Sequence, residues 1–97
     1  MKALWAGQAG GPEVLEYREV DRPEPRPGEV LVKIEVAGVN YSDIGRHRGT
    51  YPGAAFPSVM GGEGVGRVVA RGDGVTRLAE GDRVSFRSPV TGAYAEY

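Results

Sequence analysis

Ninety-seven residues with 12 basic and 13 acidic side chains, for a net charge of −1, suffice for one domain with a modest core. No basic stripe suits nucleic acid, and no apolar run approaches the length of a membrane span. With no cysteine there is no disulfide framework, no thiolate nucleophile and no thiolate metal site.

Met1–Ala6 reads as a first strand, ended by Gly7 and a Gly10-Gly11-Pro12 turn. This opening is too weakly apolar for a signal peptide, so a soluble, cytoplasmic protein is the expectation. Val14–Val20 (VLEYREV) is strand-like, although its polar residues also suit a short helix. Asp21–Gly28 (DRPEPRPG) alternates proline with charge and reads as an extended connector. Glu29–Val39 is the clearest strand, with Val30, Val32, Ile34 and Val36 on one face and Lys33 and Glu35 on the other. Asn40–Arg48 then predicts one short helix, with Ser42 as its cap and Asp43 in its first turn. Gly49 ends it, and Tyr51-Pro52-Gly53 makes a turn. The glycines at 61, 62, 64 and 66 lead into a short strand, Arg67–Ala70. Gly72-Asp73-Gly74 reads as a hairpin turn and Glu80-Gly81-Asp82 as a second turn before a strand at Arg83–Phe86. Gly92–Tyr97 reads as a last strand without a successor, so the natural chain is expected to continue.

Glycine is the compositional outlier: 16 residues, more than double the usual share of about 7%. Its placement between β-branched runs predicts about six or seven short strands in a mainly β, partly open barrel with one helical turn.

The glycine cluster GGEGVG (Gly61–Gly66) fails as a dinucleotide fingerprint, because the third glycine is missing and a strand follows instead of a helix. It reads instead as a bend where backbone passes close to backbone or ligand. His47, the single histidine, has no neighbouring histidine to complete an i, i+4 metal pair, and between Arg46 and Arg48 it reads as an exposed helix-end residue. Asn40, Ser42, Asp43 and Tyr51 cluster where a barrel mouth would hold ligand contacts. Capping accounts for Ser42 and Asp43. Asn40 is equally a turn residue or a ligand contact, and Tyr51 equally a lid on the barrel end or a ligand contact.

Pro27–Pro52 (PGEVLVKIEVAGVNYSDIGRHRGTYP) resembles the N-terminal part of the medium-chain dehydrogenase/reductase superfamily, and AGVNYSD with the later GTYP is similar to its zinc-free quinone oxidoreductase (zeta-crystallin-like) branch. FPSVMGGEGVGRVVARGDGV, EGDRV and GAYAEY extend the resemblance over nearly the whole chain. It implies a GroES-like catalytic domain over residues 1–97, truncated at its C-terminal end, with the Rossmann domain absent. Zinc-dependent relatives place a ligand cysteine and a ligand histidine at positions that are Asn40 and Gly62 here, so no catalytic metal is implied.

The resemblance further implies an NADPH-dependent enzyme that transfers hydride from nicotinamide to a quinone or activated alkene. Cofactor contacts would come from Asn40 and Tyr41, and carbonyl polarisation from Tyr51. Asp43, Gly62 and Glu63 would line the substrate cleft. Gly45 and His47 stand where many relatives have tyrosine and arginine. The full-length protein is expected to be a homodimer acting on a small molecule, and the fragment alone to be inactive. Two other readings remain: an enoyl thioester reductase domain, favoured by the spacing Asn40–Ile44 and by Tyr51, and a non-enzymatic co-chaperonin-like barrel.

Overall fold

The computed structural model describes residues 1–88 and 92–97. Its strands are β1 (Lys2–Ala6), β2 (Leu15–Glu19), β3 (Val30–Ala37), β4 (Ser58–Val59), β5 (Glu63–Arg71) and β6 (Arg83–Arg87), with one helix, α1 (Ser42–Arg48). They form two three-stranded sheets, ordered β2-β1-β4 and β3-β5-β6, and all pairings are antiparallel. The mainly β, partly open barrel with a single short helix is therefore the observed architecture. Val14–Val20 divides into a 3₁₀ turn, Pro12–Val14, and the strand β2.

The segment from Gly92 to Tyr97 does not form the expected strand. Only Ala95 makes a bridge, to Ala3. The segment nevertheless joins the sheets: Leu4 N–H donates to Tyr94 O at 2.8 Å on one side, and Ile34 N–H donates to Glu96 O at 2.9 Å on the other. Residues 92–97 thereby link the two sheets.

Two irregularities in the β3–β5 ladder change the expected faces. Register shifts fall between Leu31 and Val32 and between Ile34 and Val36. Each inserts an unpaired residue and turns the following side chains over. Val36, which follows the unpaired Glu35 and was expected on the apolar face, is 60% exposed, and Leu31 is buried. The core is small: Ala3, Ala6, Leu31, Met60, Val68 and Ala93.

The glycine cluster straddles the start of a strand: Gly61, at φ 92°, and Gly62 precede β5, whereas Gly64 and Gly66 lie within it. Gly64 and Gly66 pair with β3 on one side and β6 on the other. A Cβ at Gly64 would stand 2.8 Å from Val36 O and 2.9 Å from the Phe86 ring. The predicted close approach of backbone to backbone is present at Gly64, and the chain bends at Gly62, just before the strand. The expected hairpin at Gly72-Asp73-Gly74 is not tight: residues 72–82 form a longer connection before β6. Asp82 closes that loop, accepting Ala79 N–H on its carboxylate at 2.8 Å.

Helix α1 ends as expected. Gly49, at φ 78°, donates its N–H to Arg46 O at 3.2 Å, a left-handed stop that side chains rarely adopt. Its beginning differs from expectation, because Ser42 is the first helical residue and makes no side-chain cap. Asp43 does that work, its Oδ2 accepting Asn40 N–H at 2.9 Å. His47 is not exposed either. It is buried, with Nδ1 2.7 Å from Gly10 O, and its own carbonyl accepts Gly10 N–H at 2.9 Å. The helix is thus tied to the loop after β1.

Candidate functional site

At the end of β3 the chain turns into α1, crosses above β5 and returns through Tyr51. These segments enclose a cleft of about 360 Å³ lined by Asn40, Ser42, Arg46, Tyr51, Gly62 and Glu63, with Arg87 and Ser88 completing the rim. A larger groove of about 770 Å³ opens between the sheets, but residues such as Trp5, Leu31, Ile34 and Phe86 line it. Converging polar groups mark the smaller cleft as the candidate site.

Tyr51 is placed by backbone. The Gly45 carbonyl accepts the N–H groups of Thr50 at 2.9 Å and Tyr51 at 3.1 Å. The Tyr51 ring lies against the Arg46 guanidinium, whose Cζ is 4.3 Å from the ring centroid. Asn40 Nδ2 donates to Glu63 Oε1 at 3.0 Å, which joins the two polar side chains of the cleft wall.

Behind the cleft wall stands Asp43. Its Oδ2 accepts Tyr94 Oη at 2.6 Å as well as Asn40 N–H, and its Oδ1 faces Arg46 Nε at 3.6 Å. The Tyr94 hydroxyl also lies 3.2 Å from Gly38 O. Asp43 was expected in the substrate cleft; it supports that cleft from behind. Tyr41 was expected beside the cofactor, but it is 89% exposed and borders a separate apolar hollow with Val39 and Ile44. Asn40, Tyr51, Gly62 and Glu63 do come together.

Sequence reasoning missed Arg46 and Tyr94. Arg46 is 6% exposed despite its place in the last helical turn. Its one sequence signal was the i,i+3 spacing from Asp43. Gly62 makes room for it, since a Cβ there would meet the Arg46 Nη2 atom at 2.9 Å.

Burial, and then the hydrogen bond to the Asp43 carboxylate, hold the Tyr94 phenol well above the usual tyrosine range. A raised folded-state pKa gives stability that is complete below the unfolded value, about 10, and is lost as pH rises through the folded one. Urea midpoints measured across the alkaline range are therefore expected to fall from about pH 10 upward. Tyr94→Phe should flatten that decline.

Residues 26–97 match the family model described as the alcohol dehydrogenase GroES-like domain. Over 87 residues the chain is 47% identical to a quinone oxidoreductase of Pseudomonas aeruginosa, covering 90% of this chain and 27% of that protein. Over 75 residues it is 41% identical to an acryloyl-coenzyme A reductase of Metallosphaera sedula, covering 77% of this chain and 23% of that protein. The crystal structure of Escherichia coli quinone oxidoreductase complexed with NADPH superposes with a TM-score of 0.90 at 33% identity, covering 99% of this chain and 29% of that one. The chain thus spans between 23% and 29% of the length of these relatives.

Proposed function

This chain belongs to the alcohol dehydrogenase GroES-like domain family, and from that premise we propose that residues 1–97 are the acceptor-binding domain of an NADPH-dependent quinone or enone reductase. The observation that carries the reading is the convergence of Asn40, Tyr51, Arg46 and Gly62 on one polar cleft at the barrel mouth. Its volume falls within the range of small-molecule sites, roughly 300–1,000 Å³.

The cleft fits the nicotinamide end of the cofactor and no more. Gly64 and Gly66 sit within a strand paired on both sides, so the glycine run does not open a helix N-terminus for phosphates. When bound, NADPH supplies the hydride. Asn40 offers its carbonyl oxygen to an amide or hydroxyl, with Glu63 fixing the amide group. Tyr51, held by Gly45 O and the Arg46 guanidinium, points to polarisation of the acceptor carbonyl by a phenolic O–H. Asp43 acts on none of these atoms directly; it positions Asn40 and Arg46. Tyr41 has no part in the cleft.

We read the reaction as metal-free on the chemistry of the donors. Cysteine is absent from the chain, and Asn40 and Gly62 offer neither thiolate nor imidazole. The guanidinium packed at Gly62 repels a divalent cation there. Among the described residues no helix is long and apolar enough to cross a membrane. A cytoplasmic location and a homodimeric full-length protein accompany the proposal, and sedimentation velocity checks the latter.

The test is NADPH oxidation by the full-length protein with benzoquinone as acceptor, against none with NADPH alone. Tyr51→Phe, which keeps the ring over Arg46, is expected to lower kcat about 100-fold while leaving the KM for NADPH nearly unchanged. The 41% identity to an acryloyl-coenzyme A reductase favours a second reading, an enoyl thioester reductase. Faster turnover of acryloyl-coenzyme A than of benzoquinone would select it.

A further inference from the structure

We propose that the cleft is an oxyanion-binding site in which the buried Arg46 receives the phenolate or enolate oxygen of the reduced acceptor; this rests in part on the reductase reading. A guanidinium is seldom buried without purpose, because taking its charge out of water is costly unless a partner compensates. Arg46 has a partner in Asp43, with Nε and Oδ1 3.6 Å apart. The other carboxylate oxygen is taken by the Tyr94 hydroxyl and the Asn40 N–H. Asp43 therefore offsets the cost of burial while its charge is shared among three donors.

The other end of the guanidinium reaches β5. Position 62 carries no side chain, and Nη2 lies where one would crowd it, 2.9 Å from an added Cβ. Arg46 thus lines the cleft beside Tyr51 while remaining almost wholly buried. In so dry a place a positive charge acts on a ligand far more strongly than on the surface. The other charged groups on the cleft are Glu63 and Arg87, cross-strand partners in the β5–β6 ladder. Glu63 is engaged by the Asn40 amide. The two arginines and one glutamate leave the lining cationic.

The chemistry gives this cation a use. A quinone that takes up hydride gains two electrons and one hydrogen, NADPH is oxidised to NADP+, and one acceptor oxygen is left as phenolate. A proton then completes the hydroquinone. Negative charge collects on that oxygen beside Tyr51 and Arg46, so the cleft holds it more tightly than the neutral acceptor.

The test uses the full-length protein without nucleotide and two probes of similar shape, 4-nitrophenolate and the neutral 4-nitroanisole. Wild type is expected to bind the phenolate about 10-fold more tightly than the anisole. Arg46→Met should abolish the preference, and Arg46→Lys should retain most of it. Gly62→Ala, which displaces the guanidinium end, should weaken phenolate binding in wild type but not in the Arg46→Met background. This second variant also carries the test should Arg46→Met fail to fold, with displacement of the guanidinium as its readout. An equal preference in wild type and Arg46→Met, or none in wild type, overturns the assignment. Benzoquinone reduction by the same preparations separates the two claims: phenolate selectivity without turnover sinks the reductase reading alone, and turnover without selectivity sinks the role of Arg46 alone.

Discussion

Asp43→Ala is expected to destabilise the chain by about 3–5 kcal/mol, the usual loss when one partner of a buried charged pair is removed. The carboxylate meets three donors from three parts of the chain: Asn40 N–H at the end of the β3 loop, Tyr94 Oη in the closing segment and Arg46 Nε on the helix. Alanine removes the Asp43 charge from beside the buried Arg46 and deprives the Tyr94 hydroxyl of its shorter hydrogen bond. Asp43→Asn keeps the shape and one acceptor oxygen but not the charge, so its loss should be smaller, about 1–3 kcal/mol. Trp5 is the single tryptophan of the chain and lies on β1, next to Leu4, which bonds Tyr94. Urea unfolding followed by its fluorescence reads both variants. If Asp43→Ala stays within about 0.5 kcal/mol of wild type, the range of an ordinary surface substitution, the carboxylate is not the keystone described. Arg46→Met in the same background should recover part of the loss, because the stranded charge is then gone.

What the sequence made legible was local. Alternation of Val30, Val32 and Ile34 announced β3, and the polar turn from Asn40 to Tyr51 announced one wall of the cleft. Asn40, Tyr51, Gly62 and Glu63 were brought together as the resemblance implied. The failures have one cause: they depend on contacts remote in the chain. Tyr94 reaches Asp43 across 51 positions, and nothing in GAYAEY signals that bond. Arg46 in a last helical turn ordinarily faces water, and Gly62, just before β5, leaves room for it to turn inward. His47 was read as exposed for the same reason, and the Gly10 loop covers it. Val36 was placed on the core face by strict alternation, which a register shift after Ile34 then broke. Gly61–Gly66 was read as a bend where backbone passes close to backbone; the bend falls at Gly62, while at Gly64 and Gly66, inside β5, a neighbouring backbone requires their small size.

Gly66→Ala puts that last point to the test, and the expected loss is about 3 kcal/mol, at the upper end of ordinary overpacking. Gly66 sits in the middle strand of its sheet, opposite Ile34 on β3 and Val84 on β6. A methyl group there would run into the Lys33 carbonyl oxygen and would press on Val32 Cγ1 at 2.8 Å. The first obstacle is backbone, so no rotamer relieves it. Either β3 withdraws, breaking the ladder that carries Asn40 to the cleft, or β5 shifts and takes Gly62 and Glu63 with it. Gly74→Ala is the useful control. That glycine, at φ 81°, has nothing within 4 Å of an added Cβ, so its substitution should cost only the left-handed backbone term, about 1–2 kcal/mol. Matched urea curves decide between steric and conformational accounts of the glycine cluster. A Gly66→Ala loss no larger than that of Gly74→Ala would mean β3 can give way freely, and that the close packing of the two strands does not set the position of the site.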